Sequence, residues 1–483
     1  MFTIRANNAC SRRTALRVGA MGLGSLGLPG LLSGSSFSER LSDKPWVTGK
    51  SVVWLWLGGG PPQHETWDPK PDAPDTVRTV FGTVGTSLPG VQFGSHFPKL
   101  AERAHRLTIV RSFTTPSSDH QDNFIRAMLT GTEAKGAASV GSAYAYLRGT
   151  NHPQSGMPAY VMLDSGNNTE FLQSHFLRGN TPGVLGEAYS PFNPRGVILP
   201  EEKLTGPLRK EDGEAPVFSP LLQSMDLQIP AERWEDRRAL LRQFDASARA
   251  LESDQALADY DGYREQAYRV LKGSVAEAFR LDRETPDTIG KYDTSAIMLT
   301  CPNMVKLPDY PRRPSLLGRQ MLLARRLCEA GAGLVMVENC GWDFHGTQAD
   351  PNLKQGLEGF GPSLDRAVSA FLDDVQQRGL EERILLVVCG EMGRTPRINE
   401  RGGRDHWPKL APLFLAGGGF KMGRVIGQSD AHGGSPTTIP VTHTNLATTV
   451  LQTLIDPVKL RLFPQINPDL LRRVEASPIP GFA

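Results

Sequence analysis

Strands and helices alternate along the C-terminal half of this 483-residue chain, and this alternation restricts the possible folds more than any other feature. Short apolar runs, typical of buried strands, are separated by segments whose apolar residues recur at helical spacing. In the segment 364–375 the apolar residues fall on one face of a helix. The alternation predicts an α/β fold with a mostly parallel central sheet and helices on both faces.

The same patterns place individual elements. The predicted strands are 51–57, 107–110, 159–163, 334–337, 384–389 and 411–416, and the predicted helices are 316–330, 364–375 and 442–454. Between about residues 230 and 285 the sequence is charged, rich in Ala and Leu and poor in Gly, which predicts two or more helices. We therefore expect one domain over residues 45–483 that carries a helical insertion or cap.

The first 35 residues have the composition of an export signal. Arg12 and Arg13 precede the stretch 18–32, which contains only Gly, Ala, Leu, Met, Val, Ser and Pro. Consecutive arginines before a short, mildly apolar stretch indicate a twin-arginine signal, and the stretch is too short and Gly-rich to span a membrane. The sequence predicts export to the periplasm or cell envelope, with membrane contact only through this segment if it is retained. An amphipathic or disordered arm is the alternative.

Charge and cysteine content exclude some classes of protein. The 53 basic and 51 acidic residues nearly balance, so no nucleic-acid partner is expected. None of the cysteines forms a Cys-x-x-Cys pair, which argues against a zinc ribbon. Beyond the signal lie Cys301, Cys328, Cys340 and Cys389, which could form disulfides or remain buried thiols.

Four polar clusters lie beside predicted strands. They are the segments 63–68, 341–345, 390–395 and 403–407. Ligands of parallel sheets bind beyond the carboxyl ends of the strands, where distant loops converge. We therefore expect these clusters to form one site.

Carboxylates and imidazoles in the clusters suit a divalent metal. Asp343 and His345 lie two residues apart, so an extended backbone points both side chains the same way, and His406 could complete the site. Glu391 and Glu65 could bind a second ion or bridge two ions. Such ligands suit zinc or manganese, and the expected content is one or two ions. Turn formation and helix capping are the alternative roles.

Arg394 and Arg404 lie within the last two clusters. Their guanidinium groups could hold a phosphate or sulfate by forked hydrogen bonds, which would make Arg394 part of the catalytic site. They could equally orient ligand carboxylates, including a salt bridge between Arg394 and Glu391.

The motifs, taken in order, resemble a bacterial family described as domain of unknown function 1501, whose members are commonly twin-arginine exported and belong to the alkaline-phosphatase-like superfamily. The matching stretches are the Arg12-Arg13 signal, LWLGGGPPQHETWDPKPDAP (55–74), DHQDNFIRAMLTG (119–131), GWDFHG (341–346), GEMGRTP (390–396), GRDHWP (403–408) and LAGGGFKMGRVIGQSD (415–430). The resemblance implies two metal sites at the carboxyl edge of a parallel sheet and hydrolysis of phosphate or sulfate esters. It also implies that Asp343, His345 and His406 form one site and that Glu391 and Glu65 contribute to the other.

This chain departs from the superfamily pattern in two ways. Its first Asp–His pair is spaced more closely, and Met392 stands where the superfamily has a histidine after the acid. The second site could therefore be incomplete or could recruit His64, Asp405 or His120.

The resemblance further implies a Ser, Thr or modified Cys nucleophile at a helix N-terminus. The matching segment is 114–120, before a helix predicted to start near Gln121. Ser117 and Ser118 are candidates both for the nucleophile and for the helix N-cap. Cys301 lies outside any Cys-x-Pro-x-Arg pattern, so a formylglycine sulfatase is not expected.

The sequence therefore favours an exported, metal-dependent hydrolase of phosphate, phosphonate or sulfate esters that acts on a small-molecule or glycan ester. A metal-stabilised binding or scaffold protein without turnover is the alternative. A transferase or isomerase such as a phosphomutase is a third hypothesis. Export would separate the protein from sugar-phosphate pools, which argues against it.

Overall fold

A computed structural model describes residues 44–164, 179–194, 233, 274–297, 314–348 and 350–482. The predicted signal, Cys301 and most of the predicted insertion lie outside these residues. The strands are β1 (Ser51–Trp56), β2 (Thr83–Gly85), β3 (Gln92–Gly94), β4 (Thr108–Val110), β5 (Tyr160–Leu163), β6 (Leu334–Glu338), β7 (Ile384–Cys389), β8 (Gly393–Arg394), β9 (His406–Trp407), β10 (Leu413–Gly417) and β11 (Arg424–Ile426). The α-helices are α1 (Pro98–Glu102), α2 (Asp122–Thr130), α3 (Val140–Arg148), α4 (Ser274–Phe279), α5 (Pro286–Tyr292), α6 (Leu317–Glu329), α7 (Leu353–Gln377), α8 (His443–Leu454), α9 (Pro457–Leu460) and α10 (Pro468–Glu475).

Seven strands form the central sheet, in the order β11-β4-β10-β7-β1-β6-β5. β1 pairs in parallel with β6 and β7, in a register that places Val52 opposite Leu334 and Leu385. β10 runs antiparallel to both of its neighbours, β4 and β7. The α/β fold with a mostly parallel sheet is therefore confirmed, and the sheet is mixed because of β10.

Both faces of the sheet are covered by helices. Successive side chains of a strand point to opposite faces. Val53 and Leu55 of β1 accordingly pack in one core with apolar residues of α6 and α7. Val52 and Trp54 pack in the other core with apolar residues of α3 and α8. These four β1 side chains have no solvent exposure, which explains why the strand is apolar without alternation.

The strand directions bring several loops to one edge of the sheet. The carboxyl ends of β1, β4, β6 and β7 lie there because these strands run the same way. Since β10 runs in the opposite direction, its first residue lies at the same edge, and the segment that precedes it ends there. The loops after 56, 110, 338 and 389 therefore meet the segment before 413.

The described end of the predicted insertion is tied to the sheet's helices by a buried charge cluster. The guanidinium of Arg325, on α6, has no solvent exposure. It contacts the carboxylates of Glu284 at 3.0 Å, Glu329 at 2.6 Å and Asp374 at 2.8 Å. These contacts join the segment after α4 to both long helices.

Among the described residues, no helix has the length and apolar character needed to cross a bilayer.

Candidate metal centre

The sheet edge brings five of the predicted residues into one cluster. His120 lies beyond β4, Asp343 and His345 beyond β6, and Glu391 directly beyond β7. His406 belongs to β9, which pairs with β8 and so lies at the same edge. The convergence follows from strand direction, as the sequence predicts.

The Nε2 atoms of His120, His345 and His406, the three-histidine cluster, point at one another. His406 Nε2 lies 2.9 Å from His345 Nε2 and 3.1 Å from His120 Nε2. Asp343 completes the group, with Oδ1 2.9 Å from His345 Nε2 and Oδ2 3.6 Å from His120 Nε2. Within the described part of the chain, His120, Asp343 and His406 each offer a ligand atom, all within 4.8 Å of one another. The four side chains are partly exposed, so a ligand can reach them from solvent.

The opposite nitrogen of each imidazole contacts an oxygen acceptor. The Nδ1 contacts are His120 with Glu391 Oε1 at 2.9 Å, His345 with Asp405 Oδ1 at 3.0 Å, and His406 with the Ser118 carbonyl at 2.8 Å. Carbonyl and carboxylate oxygens accept, so each Nδ1 carries the hydrogen and a neutral ring keeps its lone pair on Nε2. Histidine ligands of metals are usually oriented in this way. The three lone pairs therefore converge at a point where a proton or a metal cation would relieve their repulsion, and that of His345 also faces Nη1 of Arg394 at 3.2 Å.

Protonation of the metal-free cluster follows from its charges. Burial lowers the pKa of His120, but hydrogen bonds to Asp343 and Glu391 outweigh it and raise the pKa to about 10. Burial raises the pKa of Asp343, but Arg394 and the histidines hold it well below the ordinary value. In the absence of metal, His120 is therefore protonated at neutral pH, which places a proton among the clustered Nε2 atoms.

Arg394 holds the ligand carboxylate and has no hydrogen-bond donor left for a substrate. Its side chain has no solvent exposure. The five contacts are Nη2 with Asp343 Oδ1, Nη2 with the Gly59 carbonyl, Nε with the Gly60 carbonyl at 2.7 Å, Nη1 with the Arg404 carbonyl at 3.1 Å and Nη1 with His345 Nε2 at 3.2 Å. Five contacts use all five N–H groups of a guanidinium. These contacts agree with the alternative in which Arg394 orients a ligand carboxylate, and they do not support its contact with a substrate, which stays a prediction. The alternative salt bridge to Glu391 is not among its contacts.

Glu65 does not join the cluster, contrary to the sequence prediction. Its Oε1 lies 2.9 Å from Nη2 of Arg404, in an ion pair with almost no solvent contact. Its Oε2 accepts hydrogen bonds from the Thr79 hydroxyl and from the Val80 amide, the latter at 3.1 Å. Both oxygens are used, so Glu65 is a structural partner of Arg404. The same pair excludes Arg404 from binding phosphate or sulfate.

Glu391 orients His120 and retains one buried oxygen. Oε1 accepts from His120 Nδ1 and from the Gly59 amide at 2.7 Å. Oε2 is buried and has no hydrogen-bond partner among the described residues. Gly59 has φ +106° and a Cβ there would lie 2.7 Å from the Asp343 amide, so this close approach requires glycine. The sequence signal for this contact was the Gly run that follows β1.

Ser118 contributes its carbonyl to the centre, a contact that sequence reasoning missed. The prediction that Ser117 or Ser118 caps the next helix is wrong, because α2 begins at Asp122 after Gln121 and no side chain caps it. The Ser118 side chain is exposed and that of Ser117 is partly buried. A nucleophilic role for either hydroxyl stays a prediction.

Two further candidates fall outside the ligand cluster. Asp405 orients His345, as described above. His64 is buried, with Nε2 2.7 Å from the His432 carbonyl, and burial lowers its pKa to about 3.

The cysteines described here, Cys328, Cys340 and Cys389, are free and buried, in agreement with the buried-thiol alternative.

These features define an α/β protein with a candidate carboxylate–histidine metal centre at the carboxyl edge of a mixed, mostly parallel sheet. The chain belongs to the family described as Protein of unknown function (DUF1501), whose model matches residues 49–472. The resemblance found in the sequence motifs is thereby confirmed at the level of the family. No curated protein matches the sequence.

Several solved structures are similar to this chain. A sulfatase from Pseudoalteromonas sp. is 11% identical, with 92% of this chain and 72% of that chain covered and a TM-score of 0.35. An alkaline phosphatase from an Antarctic bacterium is 13% identical, with 79% and 95% covered and a TM-score of 0.32. A phosphonate monoester hydrolase from Silicibacter pomeroyi is 11% identical, with 84% and 73% covered and a TM-score of 0.34. At such low values, neither the activity nor the site residues of those proteins are transferred to this chain.

Proposed function

We propose that this protein is an exported, metal-dependent hydrolase of phosphate, phosphonate or sulfate esters, with an alkaline-phosphatase-like arrangement of its site. The observation that carries the proposal is the convergence of three Nε2 lone pairs and the Asp343 carboxylate at a solvent-accessible sheet edge. The predicted substrates are small-molecule or glycan esters. The predicted twin-arginine signal at Arg12 and Arg13 supports action in the periplasm or cell envelope.

The donor set fits a divalent ion. Imidazole nitrogen with carboxylate oxygen suits zinc or manganese, and a catalytic zinc site commonly has three protein ligands. His120, His406 and Asp343 would hold the ion. The buried, unpartnered Oε2 of Glu391 adds negative charge beside it. When bound, the ion would supply Lewis-acid stabilisation of the charge that develops on the ester oxygens.

The chain's own residues have separate roles in this proposal. Glu391 and Asp405 fix the histidine tautomers, and Arg394 keeps Asp343 ionised and oriented. The segment that carries Ser117 and Ser118 lies against the centre through the carbonyl of Ser118. A hydroxyl of this segment, or a water molecule, would attack the ester.

A non-catalytic, metal-stabilised scaffold is the second candidate. One observation favours it: Arg394 and Arg404 are fully engaged within the protein, so neither presents N–H groups to an anionic substrate. A scaffold would use the metal for folding alone.

The test combines metal content with turnover in protein recovered from the periplasmic fraction. Wild type, Asp343→Ala and His406→Ala are compared, with exposed Asp72→Ala and His432→Ala as matched controls. We expect wild type and controls to carry zinc or manganese and to hydrolyse aryl phosphate, phosphonate or sulfate esters. Asp343→Ala and His406→Ala should keep a native circular dichroism spectrum and lose both properties.

Three results would count against the proposal. Metal without turnover on any of the three ester classes would favour the scaffold. A well-folded wild type that binds no divalent ion would remove the metal site. Recovery only from the cytoplasm would contradict export.

A further inference from the structure

Arg394 places a permanent positive charge inside the candidate metal centre. The guanidinium is bound by three backbone carbonyls, the Asp343 carboxylate and a nitrogen of His345. Such a set of oxygen and nitrogen donors is also one that binds divalent cations. A guanidinium stays charged at any pH a protein experiences and is weakly hydrated, so it is suited to burial in this position.

We propose that Arg394 is a built-in second cation, so that the centre binds one divalent ion rather than two. The proposal rests on the proposed function. Arg394 donates to Oδ1 of Asp343, which also faces the Nε2 atoms of His345 and His406, while Oδ2 faces His120 Nε2. One carboxylate is thus shared between a fixed cation and the proposed metal position.

Glu65, one of the two carboxylates expected to bind a second ion, is also occupied by an arginine. Glu65 pairs with Arg404, and both side chains are buried. Beside Asp343, a second divalent ion would therefore find the buried Oε2 of Glu391 as the one expected carboxylate oxygen without a partner among the described residues. It would also meet the Arg394 charge at contact distance in a poorly solvated environment, where like charges repel strongly.

His345 has a distinct position in this arrangement. Its Nε2 lies 3.2 Å from Nη1 of Arg394 and 2.9 Å from His406 Nε2. It therefore links the fixed cation to the ligand set, and it acts as a positioning residue more than as an essential ligand.

The first measurement counts ions on the full chain. Elemental analysis and isothermal titration with zinc and with manganese are run on metal-stripped, refilled wild type. One ion per chain at saturation is expected. Two ions per chain would contradict the proposal that Arg394 takes the place of a second ion, and would leave the proposed function standing. No bound ion would overturn the proposed metal site, and this inference with it.

The second measurement asks whether the charge of Arg394 is what matters. In Arg394→Ala we expect a lowered Tm that millimolar guanidinium chloride partly restores, because the ion can re-enter the space between the donors. Urea at the same concentration has a similar planar shape without the charge and should not restore the Tm. Exposed Arg397→Ala is the matched control and should not respond to guanidinium.

Arg394→Lys keeps the charge and covers the case in which the alanine variant does not fold. We expect it to be soluble and to bind one ion per chain. Equal rescue of Arg394→Ala by urea and guanidinium, or two ions bound by the lysine variant, would contradict the role of a cation.

Discussion

The buried pair of Glu65 and Arg404 shows how charge is balanced next to the candidate metal centre. The two side chains have relative exposures of 1% and 0% and approach to 2.9 Å. Arg404 also donates to the carbonyls of Val77 and Pro396. Removal of one partner of such a pair leaves the other charge buried without compensation, which costs about 3–5 kcal/mol.

Glu65→Gln should therefore destabilise the protein by about 3–5 kcal/mol and leave its metal content unchanged. Urea unfolding measures the first quantity and elemental analysis the second. Exposed Glu400→Gln is the control and should change the unfolding free energy by less than about 0.5 kcal/mol. Loss of metal at unchanged stability would instead indicate that Glu65 is a metal ligand.

At the residue scale, the sequence located the site but not its pairings. The position of Asp343, His345 and His406 beside predicted strands was enough to place them at one edge, because strand direction fixes where loops emerge. Nothing in the sequence shows that Glu65 meets Arg404, since the two are 339 residues apart and a carboxylate suits a metal and a guanidinium equally well. That choice depends on side-chain packing in three dimensions.

Helix α7 anchors the loop beyond β6 that carries Asp343 and His345 of the candidate metal centre. Asn352 accepts a hydrogen bond from the Gln355 amide at 3.0 Å, and Gln355 accepts one from the Asn352 amide at 3.0 Å. This capping box satisfies two amides that the first turn of a helix leaves unpaired. It also fixes the point at which the loop after His345 ends.

Asn352→Ala should lower the free energy of unfolding by about 0.5–2 kcal/mol, the usual cost of a lost N-cap. Exposed Gln376→Ala near the other end of the same helix is the control and should stay within about 0.5 kcal/mol of wild type. Thermal and urea unfolding measure both variants. Equal effects of the two substitutions would show that the capping box contributes nothing specific.

At the element scale, six of the seven described strands of the central sheet were predictable, whereas β11 and the start of α7 were not. The apolar run 384–389 matches β7 residue for residue, because a strand buried on both faces needs no other signal. The helix predicted at 364–375 extends over Leu353–Gln377. Its first part contains three glycines and Pro362, which disfavour helix in isolation. Packing selects the helix there: a Cβ on Gly356 would lie 2.3 Å from the Phe344 ring, so the glycine permits a close helix contact.

For the whole molecule, the candidate metal centre couples stability to pH. The pKa of His120 is raised from 6.5 in the unfolded chain to about 10 in the metal-free fold, by its hydrogen bonds to Asp343 and Glu391 acting against burial. The stability contributed by the proton is therefore fully present below about pH 6.5 and is lost as the pH rises through about 10. An ion bound as proposed would take the place of that proton, so proton and metal would compete for His120 Nε2.

The difference in Tm between metal-loaded and metal-free protein should therefore widen as the pH rises from 6.5 towards 9. The apparent metal affinity should tighten by up to about tenfold per pH unit, which is about 1.4 kcal/mol. Thermal unfolding of both forms at fixed free metal measures this difference. Lys44, whose pKa burial and Arg148 lower to about 8, titrates in both forms and cancels in the comparison. In metal-free His120→Asn the loss of stability over this range should be smaller than in metal-free wild type. If the difference between the loaded and metal-free forms stays constant with pH, His120 does not share its Nε2 with the ion, and the ligand set must be sought elsewhere at the same edge.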